Sequence, residues 1–188
     1  MGRIEDLAEL YGRHIRTPWQ RTISGAQRVI MVIYDKEQER ALRARKLAFE
    51  NASRESEHTW HEVDLTNAFA RWMASIEYRA EYFFAPEDLQ LKLDTEFTDY
   101  AAEQIRQILR LQEADERSVV ALFGAGSLFG FTRASQVLKL VEPEIRGRLV
   151  VFFPGHRDEG NNYRLLDARD GWNYLAVPIT LHFDEGIA

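Results

Sequence analysis

Three short apolar runs constrain this chain more than any other feature: Val29–Tyr34 (VIMVIY), Val119–Phe123 and Leu149–Phe153. Each is continuous rather than alternating and rich in β-branched residues, as a strand covered on both faces requires. Two weaker candidates, Trp60–Leu65 and Leu175–Thr180, complete a set of five predicted strands. Helical patterns stand between them, so the element order reads α-β-α-β-α-α-α-β-α-β-(loop)-β. Strands that alternate with helices pair in parallel and are covered on both faces. The expected fold is therefore a three-layer α/β domain with a mostly parallel five-stranded sheet.

The helices are read from spacing. Ile4, Leu7, Ala8 and Tyr11 recur at i, i+3, i+4 and i+7, which predicts an amphipathic N-terminal arm over about residues 1–16, ending near Gly12. Asp35 sits where a helix N-cap belongs, with Gln38 three residues on, and the helix that follows is expected to reach about Glu57 with Ala41, Ala44 and Ala48 inward. Phe69, Trp72, Met73 and Ile76 mark another helix, with Thr66 as its cap. Pro86 followed by Glu87 and Asp88 reads as a helix start, and Phe97, Ala101, Ile105 and Ile108 mark a longer helix. Ala134, Val137, Leu138 and Val141 form one stripe, closed by Pro143 and Gly147. Leu149–Phe153 is expected to stop at Pro154-Gly155, before a polar loop over His156–Asn162.

One domain over residues 1–188 accommodates all of this, with 45% hydrophobic and 29% charged residues. The chain has no cysteine, which removes disulfides and thiolate chemistry. Neither a signal segment nor an apolar run of membrane-spanning length is visible, so a soluble, cytoplasmic protein is expected. The net charge of -6 argues against a non-specific nucleic-acid coat. Lysine occurs only at Lys36, Lys46, Lys92 and Lys139, so nearly all positive charge is arginine. Protein contact is one outlet for it, and coding bias is another.

Ligands of parallel sheets bind beyond the carboxyl ends of the strands. Those ends carry Asp35, Asp64, Gly124–Ser127 and Gly155–His156. In Gly124-Ala125-Gly126-Ser127-Leu128-Phe129-Gly130 the spacing is GxGxxxG, one residue longer than the dinucleotide fingerprint and after the wrong strand. No lysine follows Gly130, so it is no P-loop, and Ser127 lacks the preceding glycine of a nucleophile elbow. Gly124, Gly126 and Ser127 thus remain weak cofactor-binding candidates beside a turn-geometry reading. Asp35 and Asp64 are weak metal or acid–base candidates beside a capping role. His156 joins them as a candidate for a cryptic nucleotide- or metal-binding enzyme. His58 and His61 have poor spacing for one metal. Arg40, Arg43, Arg45, Lys46 and Arg54 make one helix basic, but Glu37, Glu39 and Glu50 alternate with them, which favours i, i+4 pairing over DNA contact. The segment Gly160–Tyr174 mixes amides, arginines, aspartates and aromatics, as interface loops do. Alternatively, Arg164 and Arg169 brace the loop through Asp167 and Asp170.

Several strings resemble the BrxB family of the bacteriophage exclusion (BREX) systems. They are PWQR (Pro18–Arg21), YDKE (Tyr34–Glu37), FARWM (Phe69–Met73), GSLFGFTR (Gly126–Arg133), RGRLVVFFPG (Arg146–Gly155) and GNNYRLLDARDGWNYLAVPI (Gly160–Ile179). The resemblance runs in order from Ile4 to Ile179. It implies antiviral defence beside a DNA methyltransferase, a large ATPase and the phosphatase-like PglZ. It carries over no catalytic residues and implies an assembly role, with PglZ as partner, no cofactor, and DNA reached only through the complex. The interface candidates are Phe129, Phe131, Arg133, Asn161, Asn162, Arg164, Arg169 and Trp172. The strand succession also resembles a P-loop ATPase core lacking its phosphate-binding loop. Counting the five strands in chain order, that likeness implies the sheet order 5-1-4-3-2.

Overall fold

The computed structural model describes residues 2–171 and 174–181, so the Trp172 expectation lies outside the described residues. The chain runs through α1 (Arg3–Ile15), β1 (Val29–Tyr34), α2 (Glu39–Ala44), α3 (Lys46–Glu55), β2 (Thr59–Asp64), α4 (Ala68–Ser75) and α5 (Arg79–Phe84). It continues with α6 (Gln90–Lys92), α7 (Thr98–Leu109), β3 (Ser118–Phe123), α8 (Ala134–Val141), β4 (Arg148–Asp158), β5 (Asn162–Leu165), β6 (Ala168–Gly171) and β7 (Val177–Ile179). The main sheet has the order β7-β1-β4-β3-β2, and the pairings along it are all parallel. Because β7 is the fifth strand read from the sequence, this is the order expected.

The handedness of crossover connections explains why helices cover both faces. From β1 the chain crosses to the far edge at β2, then returns through β3 to β4. Right-handed crossovers made in opposite directions leave their helices on opposite sides. Accordingly Ile30, Val32, Tyr34, Val119, Ala121, Phe123, Val150 and Phe152 pack with α1, α2 and α3. The alternate residues Met31, Ile33, Val120, Leu122, Val151 and Phe153 pack with α4, α7 and α8. β1 and β3 are buried along their full length, which is why both read as unbroken apolar runs. Only Trp60 and Val63 of edge strand β2 are buried.

Four local readings need correction. The first helix does not end at Gly12 but runs to Ile15, since Gly12 faces Ala52 of α3. Its supposed arm is a core element: Tyr11, fully buried, hydrogen-bonds Ser53 at 2.7 Å. The helix after β1 breaks at Arg45, so Leu42 and then Phe49 and Ser53 turn inward while Ala44 and Ala48 are exposed. Glu77–Ala85, left unassigned by its composition, contains α5.

The largest correction concerns β4. It does not stop at Pro154-Gly155 but continues to Asp158, and the expected polar loop is a hairpin: β4 pairs antiparallel with β5, and β5 with β6. Proline lacks an N–H, yet Pro154 sits beside Tyr34 in the parallel ladder and accepts a bond from Leu166 N at 2.8 Å. A Cβ on Gly155 would collide with the Arg164 carbonyl, so the glycine lets β5 approach rather than ending the strand. The sheet therefore has seven strands, not five.

Among the described residues, no helix is long and apolar enough to cross a membrane.

Candidate functional site

The carboxyl end of the sheet gathers most of the residues singled out from sequence. A cavity of about 350 Å³ there is lined by Lys36, Glu39, Arg43, Thr66, Gly124, Gly126, Ser127, Pro154 and Leu166. Gly124 has φ of 74°, a left-handed conformation that favours glycine. A Cβ on it would lie 2.6 Å from Asp64 Oδ1. The turn thus needs glycine to close against Asp64–Thr66, and α8 begins only at Ala134, beyond the Ala125–Leu128 turn.

The charged groups at this end are spent on one another. Arg43 donates to Glu39 at 2.7 Å, to Asp64 at 2.8 Å and to Thr66 Oγ1 at 2.8 Å. Glu39 also accepts a bond from Tyr34. Asp64 accepts from Thr66 N at 2.9 Å, a local turn bond preceding α4. Burial would raise the Asp64 carboxyl, but the bonds from Arg43 and Thr66 outweigh it and hold the group below the usual carboxylate range. Asp35 makes no side-chain capping bond to the Lys36–Gln38 turn, Gln38 takes the N-cap position of α2, and Asp35 pairs with Arg3 at 2.7 Å. Among the described residues no three His, Asp or Glu side chains cluster as a metal site would require. His156 lies exposed on β4, opposite Arg164. His58 and His61 bond separate carbonyls, those of Arg117 at 3.0 Å and Glu113 at 3.3 Å.

The basic helix resolves in the same way. Arg45 pairs with Glu5, Lys46 with Glu62 at 2.8 Å and Arg54 with Glu50 at 2.8 Å, leaving Arg40 exposed.

The interface candidates are placed unequally. Phe129 and Arg133 are exposed, whereas Phe131 stacks on Phe69 with centroids 3.9 Å apart. Asn161 has φ of 59° and accepts from Arg157 at 2.6 Å, and Asn162 opens β5. Arg164 pairs with Asp158 at 2.6 Å rather than with Asp167, and the side chains of Arg169 and Asp170 lie outside the described ones. Asp167 pairs instead with Lys36. Arg169 lies on β6.

A larger cavity of about 670 Å³ opens at the opposite, amino end of the strands, lined by Trp19 and several arginines. No motif in the sequence marks it. Its residues come from the segment after α1 and from the starts of three strands, and the arginine excess was their only signal.

No curated protein and no solved structure matches this chain. A family model described as the BREX protein BrxB matches residues 63–179, more than half the chain. The match takes in every strand from β3 to β7 and leaves α1, β1, α2 and α3 outside it, together with the PWQR and YDKE strings. The chain therefore belongs to the BrxB family of the BREX phage-defence systems.

Proposed function

We propose that this protein is a non-enzymatic assembly subunit of a BREX complex that docks PglZ and so supports methylation and phage restriction. The carrying observation is an apolar segment facing solvent. Phe83 and Phe84 of α5 and Leu91 of α6 are 74%, 91% and 79% exposed, and Tyr78 is also exposed. α5 buries only Tyr82 of its own residues. Exposed clusters of large apolar side chains mark contact surfaces, and aromatic anchors dominate the energetics of such contacts. Covering each ring contributes about 1.5–3 kcal/mol.

Family membership makes other BREX proteins the partners, and PglZ is the one this reading selects. DNA is reached only through the complex, which accords with the paired cations of α2 and α3. The five-strand order supports reading the scaffold as a P-loop ATPase-like core without a phosphate loop, reused for protein contact.

Co-purification of tagged PglZ with wild-type protein and with a Phe83→Asp/Phe84→Asp variant tests the proposal. Both rings face solvent, so the variant should keep its unfolding midpoint while losing PglZ. Retention of PglZ at the wild-type level sinks the reading.

A further inference from the structure

At the amino end of the sheet, Arg16 and Arg117 of the cavity wall pair with Glu55 and Glu57, whereas the guanidinium groups of Arg28, Arg146 and Arg148 are oriented by backbone carbonyls. Arg28 donates from Nη1 to the carbonyls of Ile145 (3.1 Å) and Arg146, and from Nη2 to that of Arg21 (2.9 Å). Arg146 donates to the carbonyls of Leu109 (3.1 Å) and Leu111. Arg148, only 8% exposed, donates to the carbonyls of Gly147 (3.0 Å) and Gln20 (3.5 Å). Glu116 and Glu142 also line the cavity, yet among the described residues no carboxylate pairs with Arg28, Arg146 or Arg148.

Buried charges are ordinarily paired, because desolvating an unpaired ion is costly. Burial, then the neighbouring charge of Arg28, pushes Arg148 down to about 10. It is still charged at neutral pH, so the fold holds two like charges near each other, with no carboxylate paired to either among the described residues. A guanidinium has five N–H donors. Arg28 spends three on carbonyls and Arg148 two, which leaves both with donors. A fork of fixed donors matches the oxygens of phosphate or carboxylate. Mutual repulsion between the two arginines is best relieved by a dianion, and a terminal phosphate is near that charge at pH 7.

The aromatic residue in the cavity narrows the ligand further. One face of Trp19 is stacked on His58, with centroids 3.7 Å apart and planes 6° from parallel. The Arg148 guanidinium lies over the Trp19 ring, 4.6 Å from the centroid. Both neighbours occupy the indole, so it offers little stacking surface to a nucleobase and serves to hold Arg148 in place. The site is built to read charge, not base identity.

From this geometry we infer that the cavity bounded by Arg28, Arg146, Arg148 and Trp19 is a binding site for a terminal phosphate group. The phosphate comes either from a small ester or from the end of a nucleic acid strand. The site is independent of the apolar segment assigned to PglZ and lies at the opposite end of the sheet from the glycine turn.

Calorimetric titration of the full chain tests this with four probes: inorganic phosphate, AMP, and one oligonucleotide with and without a 5′-phosphate. Wild-type protein should bind at least one of the first three saturably, and Arg148→Gln should weaken that binding at least tenfold. Lys36→Gln, at the other cavity, should leave it unchanged. Arg148 is buried, so Arg21→Gln provides a second variant: among the described residues its exposed side chain makes no hydrogen bond or ion pair, and its removal should weaken binding several-fold without moving the unfolding midpoint. Stronger binding of the 5′-phosphorylated oligonucleotide than of AMP assigns the nucleic acid source, and the reverse assigns the small ester. Equal binding of the two oligonucleotides without binding of inorganic phosphate or AMP, no binding of any phosphate probe, or affinity unaffected by Arg148→Gln and Arg21→Gln each overturns the inference.

Discussion

The two ends of the sheet solve the same electrostatic problem in opposite ways. At the carboxyl end, where parallel sheets usually bind ligands, Arg43 sits among Glu39, Asp64 and Thr66, Lys36 meets Asp167, and Asp35 meets Arg3. At the amino end, among the described residues, Arg28, Arg146 and Arg148 hydrogen-bond only to backbone carbonyls, and Arg148 also lies over Trp19. A closed network stabilises the turn it spans and leaves little charge for a ligand. A set of oriented, uncompensated donors contributes less to folding and leaves charge to be met from outside. Position on the fold therefore does not decide where a ligand binds in this molecule; the accounting of charge does.

Both ends rest on one core, and breaking it is the largest available effect. Phe152 is buried between Phe123, with centroids 4.5 Å apart, and Phe49, edge-on at 5.0 Å. Phe152→Ala should cost about 3–5 kcal/mol, read as a drop in the urea midpoint, and it should weaken both ends together. A loss under 1 kcal/mol would mean that this face is far less tightly packed than described. Next comes Gly124→Ala, which acts at one end only. The left-handed backbone alone costs about 1–2 kcal/mol for a residue bearing a Cβ, and the contact with Asp64 adds to it. A destabilisation of about 2 kcal/mol or more is expected, with phosphate affinity at the amino end unchanged.

How far these ends were legible in the sequence follows from the range of the interactions involved. β1, β3 and the two-sided cover could be read because burial on both faces writes a continuous apolar run into the six residues of β1 and the last five of β3. The strand order followed from the resemblance. The break at Arg45 was not legible: nothing in KLAFENASRE marks a change of helical phase, and only packing of Phe49 and Ser53 against α1 and the sheet selects it. The β4–β5 hairpin was hidden because Pro154-Gly155 normally ends a strand, whereas here the two residues let one strand change partners. Gly124's turn role was foreseen as one reading of two, from its place at a strand end. The amino-end cavity had no local signature at all. Arg28, Arg146 and Arg148 are far apart in sequence or masked by an overall arginine excess, and no motif spacing joins them.

A sharper, smaller test separates the ends by pH. Asp64 has its carboxyl held below the ordinary range in the folded state, so its contribution is fully present above the unfolded value of about 4 and is lost as pH falls through the lower folded value. Asp64→Ala should cost about 1 kcal/mol at neutral pH, since the side chain is half exposed and its pair with Arg43 is screened. The difference from wild type should vanish at strongly acidic pH. A difference that persists at pH 2 would show that the cost comes from packing and not from the charged hydrogen bonds.

The amino end should respond earlier in the same titration. Burial lowers both His14 and His58 below the ordinary imidazole value, with Arg148 opposing the protonated form of each. A depressed histidine binds its proton more readily in the unfolded chain. Its effect is absent well above pH 6.5, and stability declines as pH drops below that value toward the folded pKa. His58→Gln removes one of these groups together with its stack on Trp19, at a cost of about 0.5–1.5 kcal/mol at pH 8. The variant should then lose less stability than wild type between pH 7 and about 5.5, so the two curves approach each other in a range where Asp64→Ala still runs parallel to wild type. If instead bound phosphate neutralises Arg148, saturating phosphate should shrink the wild-type decline over that interval. The unfolding curves with and without phosphate would then show the uncompensated end behaving as the compensated one does.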